Sequence, residues 1–300
     1  MTNITPSHGP APAAPWAKMR QPLTMGLRAS PQDRWLMADD AFDPCASSES
    51  QIALKQALHD TNHKDVFAAY DDASAAAKET YDLVRSFLNT HHQKQYDAQN
   101  ALTLADGLHP LEAAARTVPE DLLLLAPDRQ GQMPIWHLRA ASLCFPSHWA
   151  LSDKMGRALA AIHDPVPELN QRLAAPIDRF FDAMRPDIIS HRRNWTLQIG
   201  DALFAPSRSE SAPLTTDTIK DRLFVRVEHQ SFRKLPLSGW VLFTIRTSMA
   251  PLCLWQDDPD SLQDLIICLD DMSAPMAAYR GMSSYITPLK AWVSQRNAKK

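Results

Sequence analysis

Three short stretches carry side chains whose types and spacing could do chemistry. The first, residues 136–167, reads as a strand ending at Phe145, a corner at Pro146–Trp149, and a helix over Lys154–His163. Pro165 and Pro167 lock the exit in extended backbone, because neither continues a helix or donates a backbone hydrogen bond. A histidine held at a helix end, with Trp149 upstream and Pro165, Val166 and Pro167 clamping it, is a candidate ligand for a flat group. At helical spacing Met155, Ala158, Leu159 and Ile162 form the buried stripe, and His163 lies beside it on the side of Gly156. Glycine inside a helix costs about 1 kcal/mol against alanine, so Gly156 has a packing reason: room for a planar ligand, or close helix–sheet packing. The plain alternative for His163 is a helix-terminal side chain favoured by the dipole.

The second stretch is Ser190-His-Arg-Arg-Asn-Trp195. Arg192 and Arg193 can meet an anionic group through bidentate, charge-assisted bonds, or be ordinary arginines at a strand entrance. The third is Arg226-Val-Glu-His-Gln230, in which Arg226, Glu228 and Gln230 project from one face at period two. On an outer face they are a solvated ladder. Facing a pocket they form a polar cluster able to deliver protons or hold an amine, with a carboxylate kept ionised by its arginine neighbour. His229 points the other way, with Val225 and Val227, and is a rival ligand to His163.

Composition bounds what these stretches belong to. The 300 residues are 45% hydrophobic, enough for a sizeable core with an extension or a second domain. A net charge of −3 gives no basic face for nucleic acid. No apolar run approaches the length of a membrane span, and no signal peptide is visible, so a cytoplasmic location is expected. Cys45, Cys144, Cys253 and Cys268 lie far apart with no Cys-x-x-Cys, which argues against a zinc knuckle or iron–sulfur cluster on this chain. No Gly-rich phosphate loop is present.

In chain order, residues 1–22 read as a mobile Pro/Ala-rich tail. Residues 23–118 read as a mainly helical region, with Ile52, Leu54 and Leu58, then Val66, Phe67 and Tyr70, on one or two helices. A stronger helix follows over Ser74–His92, and a short one over Pro110–Arg116. Residues 119–250 hold a hairpin (Asp121–Ala126 and Ile135–Phe145), helices to about Met184 with a kink or break at Pro176, and three strands at Asn194–Ile199, Leu223–Gln230 and Gly239–Thr247. Residues 251–300 read as C-terminal helices, Ser261–Met272 and Met276–Arg296, packed on that core. The expected class is α+β: a PAS-like five-stranded antiparallel sheet with helices on one face, plus N-terminal and C-terminal helical extensions.

Several runs carry a resemblance: Leu143-Cys-Phe-Pro-Ser-His-Trp149, Lys154-Met-Gly156, Ile162-His-Asp-Pro-Val-Pro167, Arg193-Asn-Trp195, Arg226-Val-Glu-His-Gln230, Leu235-Pro236 and Phe243-Thr-Ile-Arg246. In this order, flanked by Met25-Gly-Leu-Arg28 and Tyr279-Arg-Gly281, the chain over roughly residues 22–290 resembles the α-subunit family of haem-dependent oxidative N-demethylase. The resemblance implies haem b in a PAS-like pocket, iron held by His163, and Trp149, Gly156, Pro165, Val166, Arg193, Asn194 and His229 as further cofactor contacts. It implies a propionate partner in Arg193, and Arg226, Glu228 and Gln230 as the groups that organise protons and substrate. It further implies dioxygen-dependent removal of a methyl group from a small amine such as dimethylamine, with release of formaldehyde. Electrons would come from NADPH through a separate subunit carrying FMN and an iron–sulfur centre, and a folate-binding subunit could accept the formaldehyde. The chain departs from the family pattern at His229, where an arginine is usual, which bears on local charge and on the substrate. The runner-up readings are a non-catalytic haem PAS sensor and a structural subunit without haem.

Overall fold

The computed structural model describes residues 13–18, 25–36, 47–93, 107–131, 133–208 and 212–297. Cys45 and most of the expected tail lie outside these. The strands are β1 (Arg28–Ser30), β2 (Phe67–Ala69), β3 (Asp121–Asp128), β4 (Ile135–Ser142), β5 (Ile189–Ile199), β6 (Leu223–Lys234) and β7 (Val241–Pro251). They form one antiparallel sheet of seven strands in the order β1-β5-β6-β7-β3-β4-β2. The five expected strands are the inner five, and the sheet is wider than expected because β1 and β2 add three-residue edges to β5 and β4. Phe67, expected on a helix, pairs with Ser142 in β2.

The helices are α1 (Ser48–Thr61), α2 (His63–Val66), α3 (Ser74–His91), α4 (Pro110–Ala115), α5 (Leu159–His163), α6 (Leu169–Ala183), α7 (Ile219–Arg222), α8 (Pro259–Asp270), α9 (Ala274–Tyr279) and α10 (Ile286–Asn297). They cover both faces of the sheet, not one. Leu123, Leu125, Phe232, Val241 and Ile245 point to the face where Leu159 of α5 and Phe181 of α6 pack. On the opposite face Leu122, Leu124 and Leu242 meet α3 and α4, while Trp195, Leu197, Val225 and Val227 meet α8 and α10. Strict side-chain alternation along β5, β6 and β7 separates these two cores.

Local departures have local causes. The expected helix over Lys154–His163 is a 3-10 turn at Leu151–Asp153, a bend, and then α5. Gly156 sits in the bend at φ +74°, where a Cβ would lie 2.6 Å from the Tyr70 hydroxyl. Its smallness therefore serves a left-handed turn under Tyr70 rather than a flat ligand on a helix flank. α6 continues through Pro176 without ending. The expected helix over Met276–Arg296 is divided at Gly281, at φ +64°, whose Cβ would collide with the Arg208 guanidinium. Residues 15–18, expected in the tail, form a turn that buries Trp16 to 1% exposure. The Trp16 indole donates to the Ser261 carbonyl at 2.6 Å, and its ring lies 5.7 Å from that of Trp195 and 5.1 Å from that of Trp255.

Candidate functional site

The register of β5 against β6 pairs Arg192 with Gln230, Asn194 with Glu228, and Thr196 with Arg226. Directly opposed residues of an antiparallel pair share a face, so these six side chains form one polar ladder. It lies on the α5–α6 side, in line with Phe232, Ile245 and Phe243. Four residues of strand separate Arg226 from Gln230, about 13 Å at the usual rise.

Arg226 is fully buried at one end of the ladder. It donates to the Phe145 carbonyl at 2.6 Å and to Gln198 Oε1, the Leu203 carbonyl and Thr247 Oγ1 at 3.4 Å each. Its Nε stands 3.5 Å from Glu228 Oε1, while Gln230 Nε2 donates to Glu228 Oε2 at 2.9 Å. Burial works against the guanidinium charges of Arg226 and Arg192, and in both cases the Glu228 carboxylate opposes that loss. Glu228 is thus the common counter-charge of two desolvated arginines. The three residues expected to act together are in contact.

His163 closes α5. The ring Nδ1 lies 2.8 Å from the Leu159 carbonyl, a bond in which only the nitrogen can donate. That fixes the neutral tautomer with the proton on Nδ1 and the lone pair on Nε2. Burial, with the nearby charges of Lys154 and Arg192, holds the imidazole below its ordinary pKa and so favours this form. Arg192 comes from β5, and its Nε is buried without a hydrogen-bond partner. Trp149 and Ile162 pack on the same core. Val166 is half-buried and its amide donates to the His163 carbonyl at 2.8 Å, tightening the turn; Pro165 beside it is exposed.

His229 and Arg193 oppose one another on the other face. The His229 ring lies 5.3 Å from that of His191, on the side of Val225 and Val227. The sheet therefore stands between His163 and His229, and they do not converge on one group from this geometry. Arg193 is exposed, whereas its neighbour Arg192 faces the ladder.

A cavity of about 490 Å³ opens at the far end of β5, lined by His148, Gln198, Arg208, Arg280 and Tyr285 among others. Gln198 joins it to the ladder through its bond with Arg226. His148 adopts φ 60°, costly for a residue with a Cβ, and its Nδ1 is buried without a partner. Arg208 donates to the Tyr279 carbonyl at 2.6 Å, and Arg280 to the Trp195 carbonyl at 3.3 Å. Sequence reasoning missed these cavity residues as site residues. The signals were the Leu143–Trp149 run, which contains His148, and Tyr279-Arg-Gly281, whose glycine makes way for Arg208.

α5 and α6 cover one face of the sheet, and the half-buried imidazole of His163 stands at the end of α5 with its Nδ1 proton spent on the Leu159 carbonyl. A family model described as haem-dependent oxidative N-demethylase, alpha subunit-like, matches residues 26–290. The chain belongs to that family.

The residues present fit the haem that the family description names. A neutral histidine whose Nδ1 is bonded to a backbone carbonyl is the arrangement usual for a metal-binding imidazole. The unmet Nε–H of Arg192 beside it is the donor an acidic edge of the group would take.

Proposed function

We propose that the chain binds haem b through His163 Nε2 and acts as the haem subunit of an oxidative N-demethylase on a small methylated amine. The single observation that carries this reading is the His163 tautomer, fixed by the Leu159 carbonyl at 2.8 Å. Haem, once bound and reduced, supplies activation of dioxygen for removal of the methyl carbon as formaldehyde.

The chain's own residues then have separable tasks. Leu159 and the Pro165–Pro167 exit hold the imidazole in place. Arg192, rather than the exposed Arg193, neutralises a propionate. Glu228 accepts the N–H of a methylammonium on the oxygen lone pairs that Arg226 and Gln230 leave open, and it holds the proton that the amine gives up. Arg226, anchored on Phe145 and Gln198, fixes the carboxylate in place. α5 and α6 exclude bulk water from this layer, which strengthens each charge contact.

Reducing equivalents come from NADPH through a partner subunit with FMN and an iron–sulfur centre, and a folate-binding subunit is a further candidate partner. No helix among the described residues is long and apolar enough to cross a membrane. The test is to load the chain with haem, add such a reductase, and assay formaldehyde from dimethylamine and a panel of N-methyl amines. Amine-dependent formaldehyde with dioxygen consumption supports the assignment. Haem binding without turnover on any amine would leave the sensor reading in its place.

A further inference from the structure

A second cluster of ligating side chains lies at α1, α2 and α4, in contact with β4 rather than with the ladder. His59 Nδ1, His63 Nε2 and a Glu112 carboxylate oxygen all lie within 4.8 Å of one another. His63 Nε2 is 3.0 Å from Glu112 Oε2, and His59 Nδ1 is 3.4 Å from Glu112 Oε1. His59 is 2% exposed, and its Nδ1, aimed into the cluster, has no hydrogen-bond partner. Its other ring nitrogen, Nε2, lies 2.9 Å from the Ser142 hydroxyl. The Ser142 hydroxyl can accept from Nε2 or donate to it, and a metal ion at Nδ1 would select the tautomer with the proton on Nε2.

Glu112 is prepared in the same sense. Arg116 donates to Oε1 from Nε at 3.0 Å and from Nη2 at 2.9 Å, and its third nitrogen bonds Asp60 at 2.8 Å. Oε1 is therefore committed to Arg116, which leaves Oε2 toward His63. Metal-binding histidines and carboxylates are held by such outer bonds to a hydroxyl or a guanidinium. His63 is the mobile member: its side chain is 48% exposed at the start of α2, so it can rotate inward. Tetrahedral ligands at the usual 2.0–2.2 Å from zinc stand roughly 3.3 Å from each other. His63 Nε2 and Glu112 Oε2, 3.0 Å apart, are already near that value, and all three ligand atoms lie within 4.8 Å of one another.

We propose that His59, His63 and Glu112 form a binding site for a divalent transition-metal ion of the Zn²⁺ class, distinct from His163. Two imidazoles and one carboxylate suit zinc, and solvent beside His63 supplies a water as fourth ligand. The ion ties the α1–α2 junction and α4 to the end of β4. Lys55 and Arg116 place positive charge beside the site, which weakens binding of a cation relative to a closed structural zinc centre.

The test uses the full chain: Zn²⁺ calorimetry on the haem-loaded sample, and Co²⁺ visible absorption on the haem-free sample, where haem bands do not mask those of cobalt. The expected result is one Zn²⁺ per chain, tetrahedral Co²⁺ bands, and affinity about tenfold or more weaker in His63→Ala. A His91→Ala, His92→Ala double variant, which removes the histidine pair at the end of α3 against Phe87, should bind as the parent does. His63→Ala changes a half-exposed side chain, and its circular dichroism and haem spectrum should match the parent. No stoichiometric Zn²⁺ uptake by the parent, uptake unaffected by His63→Ala, or loss that follows His91 and His92 would each overturn the assignment.

Discussion

His163 and Leu159 are joined by a 2.8 Å bond from imidazole Nδ1 to backbone carbonyl, one turn apart in α5. The bond spends one ring nitrogen and leaves the other as a base. Replacing the ring removes the base and leaves the helix. His163→Ala is expected to bind haem at least about tenfold more weakly, read by Soret absorbance during a haem titration. His229→Ala, on the opposite face with His191, should titrate like the parent. Equal loss in both variants would contradict the one-sided pocket.

Arg226 and Glu228 weigh differently on stability and on turnover. Arg226→Met leaves Glu228 and the Phe145 carbonyl without their buried partner, a change that costs about 3–5 kcal/mol, measured as a lower urea midpoint. Glu228→Gln keeps the Gln230 contact and the shape of the site. It removes the counter-charge of Arg192 and Arg226, so it should lower the midpoint, by less than Arg226→Met does, and lose about 100-fold in amine-dependent formaldehyde formation. Unchanged turnover in a folded Glu228→Gln protein would remove the carboxylate from the reaction.

Asp121 predicts a pH dependence. It is fully buried, and its carboxylate oxygens accept the amides of Cys144 and Phe145 at 2.8 and 2.9 Å. Burial pushes the carboxyl up to about 6, although Lys55, the two amides and Arg226 pull the other way. A carboxyl raised by folding binds its proton more tightly in the folded state. Below its ordinary value both states are protonated and the group is neutral in effect. As pH rises to about 6 the unfolded chain releases the proton first, so the contribution of Asp121 to stability falls by up to about 3 kcal/mol. Urea melts of the parent and Asp121→Asn between about pH 4 and pH 7 should show the parent losing stability relative to the variant as pH rises. Parallel curves would mean that Asp121 titrates as it does unfolded.

Trp16 tests the docking of the N-terminal turn. Trp16→Ala removes a ring packed against Trp195 and Trp255 and a bond to Ser261. It is expected to cost about 3–5 kcal/mol in thermal or urea unfolding. Little change would show that the turn is dispensable to the core beneath it.

Asn194–Ile199 and Leu223–Gln230 were legible because alternation is a strong signal, and Asp121–Ala126 and Gly239–Thr247 because short, largely apolar runs suit buried strands. Both β5 and β6 run past the expected ends because the ladder face is polar, and Arg192, Ser231 and Lys234 do not look like strand interior. β1 and β2 were not legible: three residues cannot display a period of two, and Phe67 stands at a spacing from Val66 and Tyr70 that a helix would also give. The Arg226–Glu228–Gln230 arrangement was readable from period two alone. The face it takes, the placement of Arg192 rather than Arg193 on that face, and the separation of His229 from the ladder required the register. Arg208 and His148 reach one cavity from segments far apart in the chain, a juxtaposition that no local pattern encodes.

The burial of Trp16 has a consequence for biogenesis. Its pocket is shared with α8 and α10, including Trp292, so the seat of Trp16 is complete only once those helices are present. At ribosomal speed, Trp292 emerges about 275 residues and roughly 15–55 s after Trp16. Throughout synthesis the N-terminal turn therefore has no finished seat, and an apolar indole waits in solution beside the ribosome.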